Sequence, residues 1–349
     1  MDVMLIPPKN DSNKYLSSLV DALEAENTNV ISYSWNSYLP ILGPMSQTKP
    51  PNILHIHWLQ FLIIDSSLTL TILKTFRLLI ELTVARLLGV KVVWTVHDRL
   101  SHKRPYPRWE SLWRRVIAQR FCDNLIVHCD EAREIILDTY SVGSQTPIEV
   151  IPHGHYIGRY PGTSKNSARQ ELEIDDSGTI FTFFGRIREY KQVPKLIEAF
   201  NQLGQGGAVL VVAGNPSNDE LRQSILEEAN RNNVRTDLRF IPEKEVAKYF
   251  NASDVIVLPY RDILTSGSAI LAMSMRRPVI VPSLGCLPEL IEDGTDGILY
   301  DSAEPQGLQN AMERALKLDL DRIGQNGYDK ITKLDWSNIA QSTIDVYEV

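Results

Sequence analysis

Short apolar segments alternate with longer amphipathic segments along the first half of the chain. The first is VMLIPP, and residues 13–25 after it carry apolar side chains at helical spacing. Five further apolar segments follow, with helical periodicity between them over residues 111–121 and 130–140: NVISY, NILHIHW, VKVVWTVHD, NLIVHC and IEVIPHG. Because parallel strands need helical crossovers, this alternation predicts a doubly wound α/β fold with a parallel sheet.

The alternation starts again after a polar stretch, YPGTSKNSARQELEIDDSG, whose Pro, Gly and Ser content predicts a domain boundary. The predicted strands beyond it are TIFTFFG, AVLVVAG, LRFIP, DVIVLP and RPVIVP, and the predicted helices cover residues 193–202, 218–232, 243–250, 266–275 and 287–291. A chain of 349 residues exceeds what one core usually serves. We therefore predict two tandem Rossmann-like domains, residues 1–165 and 166–330, and a final helix over residues 331–349 that packs back on the first domain.

Two segments of the first half combine charge with apolar or aromatic side chains. Residues 68–88 are apolar but are interrupted by charges three to five residues apart, which predicts an amphipathic helix rather than a membrane span. Residues 99–120 hold seven Lys and Arg against one acid, with aromatic residues between them. This basic cluster fits either a surface for phosphates or an anionic membrane, or a solvated helix face whose aromatic side chains pack inward.

The cysteines and the N-terminus indicate the compartment. The chain has three cysteines without a CxxC pair, and no basic stretch before a long apolar run at its N-terminus, which predicts a reduced, cytoplasmic setting. We expect the basic cluster to allow peripheral association with the inner face of the plasma membrane, and we expect no nucleic-acid partner.

The loops that follow strands are where an open α/β sheet binds ligands. No GxGxxG follows a predicted strand and no GxxxxGK[ST] occurs, which argues against a dinucleotide oxidoreductase and a P-loop phosphotransferase. In TIFTFFGRIREYKQVPKLIEAF, Gly185 lets the backbone approach a ligand, and Arg186 and Lys191 precede a helix. This pair can neutralise a diphosphate without a metal. The plain alternative is a surface pair at a helix start.

All seven histidines lie in the first half of the chain. The HIH and HGH pairs suggest a metal site, but residues two apart on any strand point the same way, and we expect neither metal nor cofactor. His97 ends a predicted strand, with Asp98 beside it. A histidine with a pKa near neutrality, or a carboxylate next to it, can orient or deprotonate a hydroxyl. The alternative for His97 is a core histidine bonded to a carbonyl.

Several segments resemble the family 4 glycosyltransferases of the GT-B fold. FFGRIREYKQVPKLIEAF is similar to that family's FxGRxxxxKGxxxLIxAF, and LVVAGNP, LRFIPEKEVAKYFNASDVIVLPY and RRPVIVPSLGCLPELIEDGTDGILYD continue the likeness in order over residues 179–301. In the first half, ILHIHW, VVWTVHD and VIPHGHYIGRYP look like segments of bacterial exopolysaccharide glycosyltransferases. The resemblance implies two domains that face each other across a cleft.

The resemblance also implies a reaction and its residues. A sugar would pass from a nucleotide-diphospho-sugar, held by the second domain, to a saccharide acceptor held by the first, in exopolysaccharide or glycolipid synthesis. Because the basic cluster and the amphipathic residues 68–88 suit docking at a membrane surface, we expect this acceptor to be lipid-linked. His97 matches the family's histidine that contacts the transferred sugar, and His97 and Asp98 would be the catalytic residues. The donor-binding residues would be Gly185, Arg186, Lys191, Asp262, Thr265, Ser266, Gly267, Ser268 and Glu289. The acceptor-binding residues would be Asn13, Tyr15, His57 and His153.

One departure from the family concerns its two glutamates, which are separated by seven residues. In DILTSGSAILAMSMRRP the second position is Leu271, and the first is Ile263, or Asp262 with one inserted residue. A leucine cannot accept bonds from ribose hydroxyls, so the ribose must be held otherwise, and the retaining or inverting outcome stays open. The TSGS run, residues 265–268, offers hydroxyl and N–H groups for phosphate at a helix start.

Two rival functions remain: a sugar-nucleotide epimerase of the same fold and a nucleotide-sugar-binding protein without catalysis.

Overall fold

The computed structural model describes residues 1–35, 38–47, 49–101, 105–143, 146–174, 178–203, 207–230 and 233–349. The chain divides into two compact units. The first unit comprises Met1–His153 and Asp335–Val349, and the second unit comprises Gly154–Leu334.

Strands and helices alternate along both units. The described strands are β1 (Asp2–Ile6), β2 (Asn29–Val30), β3 (Ile53–Ile56), β4 (Lys91–Thr95), β5 (Asn124–Val127), β6 (Ile148–Val150), β7 (Ile180–Phe184), β8 (Val209–Ala213), β9 (Val234–Asp237), β10 (Val255–Val257), β11 (Val279–Pro282) and β12 (Ile298–Tyr300). The described α-helices are α1 (Lys14–Ala25), α2 (Leu42–Met45), α3 (Gln60–Ile63), α4 (Leu68–Leu87), α5 (Pro107–Arg120), α6 (Asp130–Tyr140), α7 (Lys165–Glu171), α8 (Val193–Asn201), α9 (Asp219–Glu228), α10 (Glu243–Ala252), α11 (Gly267–Ser274), α12 (Leu287–Leu290), α13 (Gly307–Ala315), α14 (Leu320–Ile331) and α15 (Trp336–Glu348).

Each unit contains one six-stranded sheet in which all described pairs are parallel. The strand order is β2-β1-β3-β4-β5-β6 in the first unit and β12-β11-β10-β7-β8-β9 in the second. The predicted α/β class with two Rossmann-like sheets is therefore confirmed. Since all strands of a sheet run the same way, their carboxyl ends, where ligands bind in such folds, lie at one edge.

The final helix α15 lies in the first unit. It packs on α1, and its Ile339, Ile344 and Tyr347 join the apolar core that contains Leu16 and Val93. Apolar burial on the sheet face therefore holds the end of the chain against the first unit.

The boundary between the two units lies between His153 and Gly154, before the predicted boundary between residues 165 and 166. That position is the start of α7, which belongs to the second unit and packs on α10. The buried Arg169 donates to the Ala252 carbonyl and to both carboxylate oxygens of Asp254. The polar stretch is thus anchored to the second unit by a buried arginine, and its composition alone does not show this.

Two strands of the second unit differ from the sequence prediction. Residues 238–242 (LRFIP) are not a strand, and β9 lies just before them, over Val234–Asp237. Phe240 is 69 % exposed and Pro242 precedes α10, so this apolar segment connects β9 to a helix. β12 was not predicted, because it is short and follows the turn-rich EDGTDG.

Candidate functional site

Two glycines, Gly185 directly after β7 and Gly214 directly after β8, have backbones that approach each other closely. Gly185 has φ of +125° and Gly214 has φ of +149°, and a Cβ atom on Gly214 would lie 1.8 Å from the Gly185 carbonyl oxygen. A Cβ atom on Gly185 would lie 3.4 Å from the Lys191 Nζ. Both positions therefore need glycine, and Gly185 brings bare backbone next to the Lys191 ammonium.

Lys191 is a buried cation without an acidic partner among the residues that the structure describes. Its side chain is 8 % exposed, and its Nζ lies 5.7 Å from the centre of the Phe183 ring and 5.8 Å from that of Tyr260. Burial, and then the charges of Arg188 and Arg186, lower the pKa of Lys191 to about 8. A buried ammonium that only aromatic rings compensate is costly, and an anion at this position would remove much of that cost.

Tyr260 connects Lys191 to the start of α11. Besides its ring contact with the ammonium, its hydroxyl group lies 3.0 Å from the Ser266 Oγ, and Ser266 caps α11 by accepting a bond from the Ala269 N–H. Gly267 and Ser268 form the first turn of this helix, where N–H groups lack intrahelical partners. The structure therefore brings Gly185, Lys191 and Ser266 together, as the prediction of a phosphate site requires.

The other predicted donor residues surround these elements. Arg186 is exposed in the loop after β7, and Asp262 and Thr265 are partly buried in the segment before α11. Glu289 is exposed on α12, and a hydrogen bond from the Cys286 N–H to the Leu264 carbonyl ties the start of α12 to that same segment. These residues lie on segments of the second unit next to the elements of the candidate phosphate site.

The positions of the two family glutamates lie in or against the core of the second unit. Leu271 is 8 % exposed within the cluster that includes Phe250 and Met273, and Ile263 packs against this cluster. Their apolar side chains match these surroundings. No carboxylate occupies either position, so Asp262 is the acidic residue of this segment.

Histidines line the carboxyl edge of the first sheet. His57, His97, His128 and His153 follow β3, β4, β5 and β6, and all four are buried. Tyr15, in the first turn of α1, lies between 4.8 and 5.9 Å from each of these imidazoles, measured between ring centres. The edge predicted to bind the acceptor is thus an aromatic cluster centred on Tyr15.

Three of these imidazoles form a hydrogen-bonded chain. The His57 Nδ1 lies 3.2 Å from the His97 Nε2, and the His97 Nδ1 lies 3.2 Å from the His128 Nε2. The His128 Nδ1 in turn lies 2.9 Å from the Ile151 carbonyl oxygen. The nitrogens face one another instead of converging on a point, and within the described part of the chain no group of three or more His, Cys, Asp or Glu could hold a metal ion.

The electrostatics of His97 are determined by its burial. Burial, and then His128, His153 and His55, hold the pKa of His97 well below its usual range, and burial does the same to the pKa of His57. His97 therefore lacks the pKa near neutrality that suits a general base, because desolvation dominates. His97 is a neutral imidazole whose two nitrogens both face other histidines.

Two other predicted residues make structural contacts. The carbonyl group of Asp98 accepts a 2.8 Å bond from the Arg114 guanidinium. Asn13 caps α1, its side chain accepting from the Leu16 N–H at 3.2 Å. Sequence reasoning missed Tyr260 and His128 as site residues, although His128 lies near the end of a predicted strand and Tyr260 just past another, where ligand-binding groups are expected.

Helix α4 presents apolar side chains outward. Leu73 and Ile80 are 60 % and 63 % exposed, and Leu70, Phe76 and Leu87 are exposed as well. Its buried face instead carries Thr71, Thr75 and Glu81 beside Leu78 and Leu82. The Glu81 carboxylate accepts from the N–H groups of Ile41 and Leu42, each at 3.1 Å. The helix is amphipathic as predicted, but its charged positions lie partly inside.

The basic cluster over residues 99–120 is only partly a surface. Arg114 is 1 % exposed and pairs with the buried Glu110, and Trp109 donates to Thr75 of α4. Residues 102–104 lie outside the described residues. The exposed arginines are Arg99, Arg108, Arg115 and Arg120. The alternative in which aromatic side chains pack inward thus holds for Trp109, whereas four arginines remain on the surface.

None of the helices within the described ranges is long and apolar enough to cross a membrane.

Comparisons with known proteins cover both units. A family model described as "Glycosyl transferases group 1" matches residues 164–330, and one described as "Glycosyltransferase Family 4" matches residues 44–157. The GDP-mannose:glycolipid 4-beta-D-mannosyltransferase of Xanthomonas campestris pv. campestris is 26% identical over 346 residues, which are 96% of this chain and 87% of that protein.

Two solved structures share the fold over nearly the whole chain. A sucrose-phosphate synthase from Thermosynechococcus elongatus matches with a TM-score of 0.79 at 17% identity, over 100% of this chain and 98% of that one. HepE from Anabaena, in complex with UDP-glucose, matches with a TM-score of 0.75 at 17% identity, over 99% of each chain.

Proposed function

Because the chain belongs to the group 1, family 4 glycosyltransferases of the GT-B fold, we propose that it uses a nucleotide-diphospho-sugar as donor and a lipid-linked saccharide as acceptor. The observation that carries this proposal is Lys191, a buried ammonium beside the bare backbone of Gly185 and linked through Tyr260 to the start of α11. The second unit would bind the donor and the first unit the acceptor.

In this proposal the donor diphosphate is neutralised by protein groups alone. Lys191 supplies a buried positive charge. Arg186, an exposed residue of the same loop, can bind phosphate oxygens through its planar guanidinium group. The first N–H groups of α11 add hydrogen bonds and the positive end of a helix dipole. Since the leaving group is a nucleoside diphosphate, these groups stabilise the charge that develops as the sugar departs.

GDP-mannose is the donor we propose. The relative from Xanthomonas is named for GDP-mannose and a glycolipid, and the likeness extends over 96% of this chain. UDP-glucose, which the HepE structure contains, is the alternative to be tested in parallel. With Leu271 in the core, the ribose hydroxyls would be held by other groups, for which Asp262 is the acidic candidate.

Nucleotide binding without metal tests the donor site. Calorimetry with GDP and UDP in EDTA should show binding to the wild-type chain and a loss of about tenfold or more in Lys191→Met, since charge-assisted contacts are worth about 1.5–3 kcal/mol. Lys195→Met on the neighbouring helix α8 is the matched control and should bind normally. Equal affinity in both variants would refute the assignment of Lys191.

We further propose that the first unit docks on an anionic bilayer, where it meets its lipid-linked acceptor. The support is the outward apolar face of α4, which lies beside α5 through the contact of Phe76 with Trp113 at 5.6 Å between ring centres. On α5, Arg108 and Arg115 lie on either side of the exposed Leu112 and, in the described structure, have no acidic partner. Apolar side chains flanked by arginines suit the interface of an anionic membrane.

A nucleotide-sugar-binding protein without catalysis is the second candidate function. The apolar residues at both glutamate positions favour it, because they remove the family's carboxylates from the site. Donor binding without any transfer product would support this candidate over the transferase.

A further inference from the structure

The histidine chain of the first unit has only one arrangement of protons. A carbonyl oxygen can only accept, so the His128 Nδ1 must donate to Ile151. A neutral imidazole then has its lone pair on Nε2, and His97 must donate to it from Nδ1. The same step repeats at His57, whose Nδ1 donates to the His97 Nε2. Every proton in the chain therefore points toward Ile151.

At its other end, the histidine chain leaves one buried nitrogen atom, the His57 Nε2, without a hydrogen-bond donor in the described part of the structure. The His57 Nε2 must be an acceptor in this arrangement, and it is buried without a hydrogen-bond partner among the described residues. An acceptor left without a donor away from water is costly, so the site favours a ligand that brings one. His57 and Trp58 follow β3 at the carboxyl edge of the sheet, and Trp58 stacks on His97 with 4.7 Å between ring centres.

We propose that the Ile151 carbonyl and His128 orient this chain so that the His57 Nε2 accepts a hydrogen bond from a hydroxyl group of the acceptor saccharide. His128 is then a positioning residue, acting through His97 and His57. This inference rests on the proposed transferase function. It assigns to His97 a linking role between two histidines, since both of its ring nitrogens are engaged within the chain.

His55 provides a matched control inside the same cluster. Its ring centre lies 4.2 Å from that of His57, and it is equally buried. Its nitrogens bond outside the chain, Nδ1 to the Tyr347 hydroxyl at 2.6 Å and Nε2 to the Thr95 hydroxyl at 2.8 Å. Replacing His55 therefore removes a buried imidazole and leaves the direction of the chain unchanged.

The first measurement needs no variant. In long-range proton–nitrogen spectra of the whole chain labelled with ¹⁵N-histidine at pH 7.5, His57, His97 and His128 should each be protonated at Nδ1 and bare at Nε2. A protonated Nε2 on His57 would overturn the proposal, whether or not the protein transfers sugar. This result is independent of catalysis, so it separates a failure of the inference from a failure of the proposed function.

The second measurement uses His128→Phe and His55→Phe with a glycolipid acceptor that supports transfer by the wild-type chain. His128→Phe should raise the KM for acceptor about tenfold, leave the KM for GDP-mannose unchanged and release the fixed tautomers of His97 and His57. His55→Phe should retain the tautomers and the acceptor KM. An unchanged acceptor KM in His128→Phe would assign the donor at His57 to a resident water and overturn the proposal.

Discussion

At the residue scale, Lys191 shows how a binding group lowers stability. Its buried ammonium lacks an acidic partner within the described ranges, and the pKa of about 8 lies below the ordinary 10.5 of a lysine because burial disfavours the charge. Below pH 8 the folded protein bears the whole cost of this shift, about 3 kcal/mol. That cost is the counterpart of a site prepared for an anion.

We therefore predict that Lys191→Met stabilises the ligand-free protein, by about 1–3 kcal/mol at pH 7, because an apolar side chain of similar length replaces a buried charge. The sign follows from linkage: between pH 8 and 10.5 the unfolded chain holds a proton that the folded chain has lost, so wild-type stability rises with pH. In denaturant titrations, the difference in unfolding free energy between Lys191→Met and the wild type should be roughly halved at pH 9.5. A destabilised variant at pH 7 would contradict this account.

The buried histidines predict a pH dependence of the same sign in the acid range. Burial lowers the pKa of His128 to about 4 and the pKa of His55 to about 3, so both stay neutral in the fold while the unfolded chain takes up protons below about pH 6.5. Stability must then fall as the pH drops through this window, by about 2 kcal/mol for each of these two residues at pH 5. Urea unfolding at pH 7.5 and 5.0 measures this loss, and equal stability at both values would contradict it.

The same residues show what a sequence can and cannot locate. Gly185, Lys191 and Ser266 are predictable because their spacing after a strand or before a helix carries the information. Tyr260 and His128 were missed because their roles come from contacts with loop residues elsewhere in the chain, such as Lys191 and His97, which spacing along one segment does not show. The lowered pKa of His97 does not follow from the sequence for a related reason, since burial depends on the surrounding elements.

At the element scale, α4 is the clearest case of a pattern whose orientation the sequence leaves open. Its periodicity predicts a helix, and the structure confirms one over Leu68–Leu87. Which side faces outward is decided elsewhere: Glu81 is held inside by the N–H groups of Ile41 and Leu42, and this turns Leu73 and Ile80 toward the surface. Likewise, LRFIP has the composition of a strand, but it is a connection between β9 and α10.

This orientation predicts that the outward face of α4 binds membranes. Sedimentation with phosphatidylglycerol vesicles should recover the wild-type chain, and Leu73→Glu with Ile80→Glu should reduce binding about tenfold or more, because exposed apolar side chains become charged without disturbing the core. Phe240→Glu, at an exposed apolar residue of the second unit, is the control and should bind as wild type.

The exposed arginines give a second signature of the same surface. Each basic residue near an anionic bilayer is worth about 1 kcal/mol at most, and salt screens this attraction. Arg108→Glu with Arg115→Glu should therefore weaken binding to phosphatidylglycerol at low salt, with little effect in phosphatidylcholine. Binding that ignores both lipid charge and the α4 substitutions would reject the membrane surface.

At the scale of the whole molecule, the fold was predictable because the alternation of strands and helices repeats in both halves. The structure confirms two sheets, each built of parallel strands. The exact division of the chain was not, since α7 is polar in sequence yet anchored to the second unit through Arg169. The last residues after Leu334 return to the first unit, so the second unit is continuous in sequence and the first is not.

Transfer of labelled mannose from GDP-mannose to a membrane glycolipid fraction, with EDTA present, tests the central claim most directly. The account predicts a labelled glycolipid with the wild-type chain and with Lys195→Met, and a strong loss of product with Lys191→Met. If GDP-mannose gives no labelled product, a parallel reaction with labelled UDP-glucose tests that nucleotide sugar as the donor. A chain that binds nucleotide but yields no product from either donor, or whose product requires added Mg²⁺ or Mn²⁺, would contradict a metal-independent glycosyltransferase with Lys191 at its donor site.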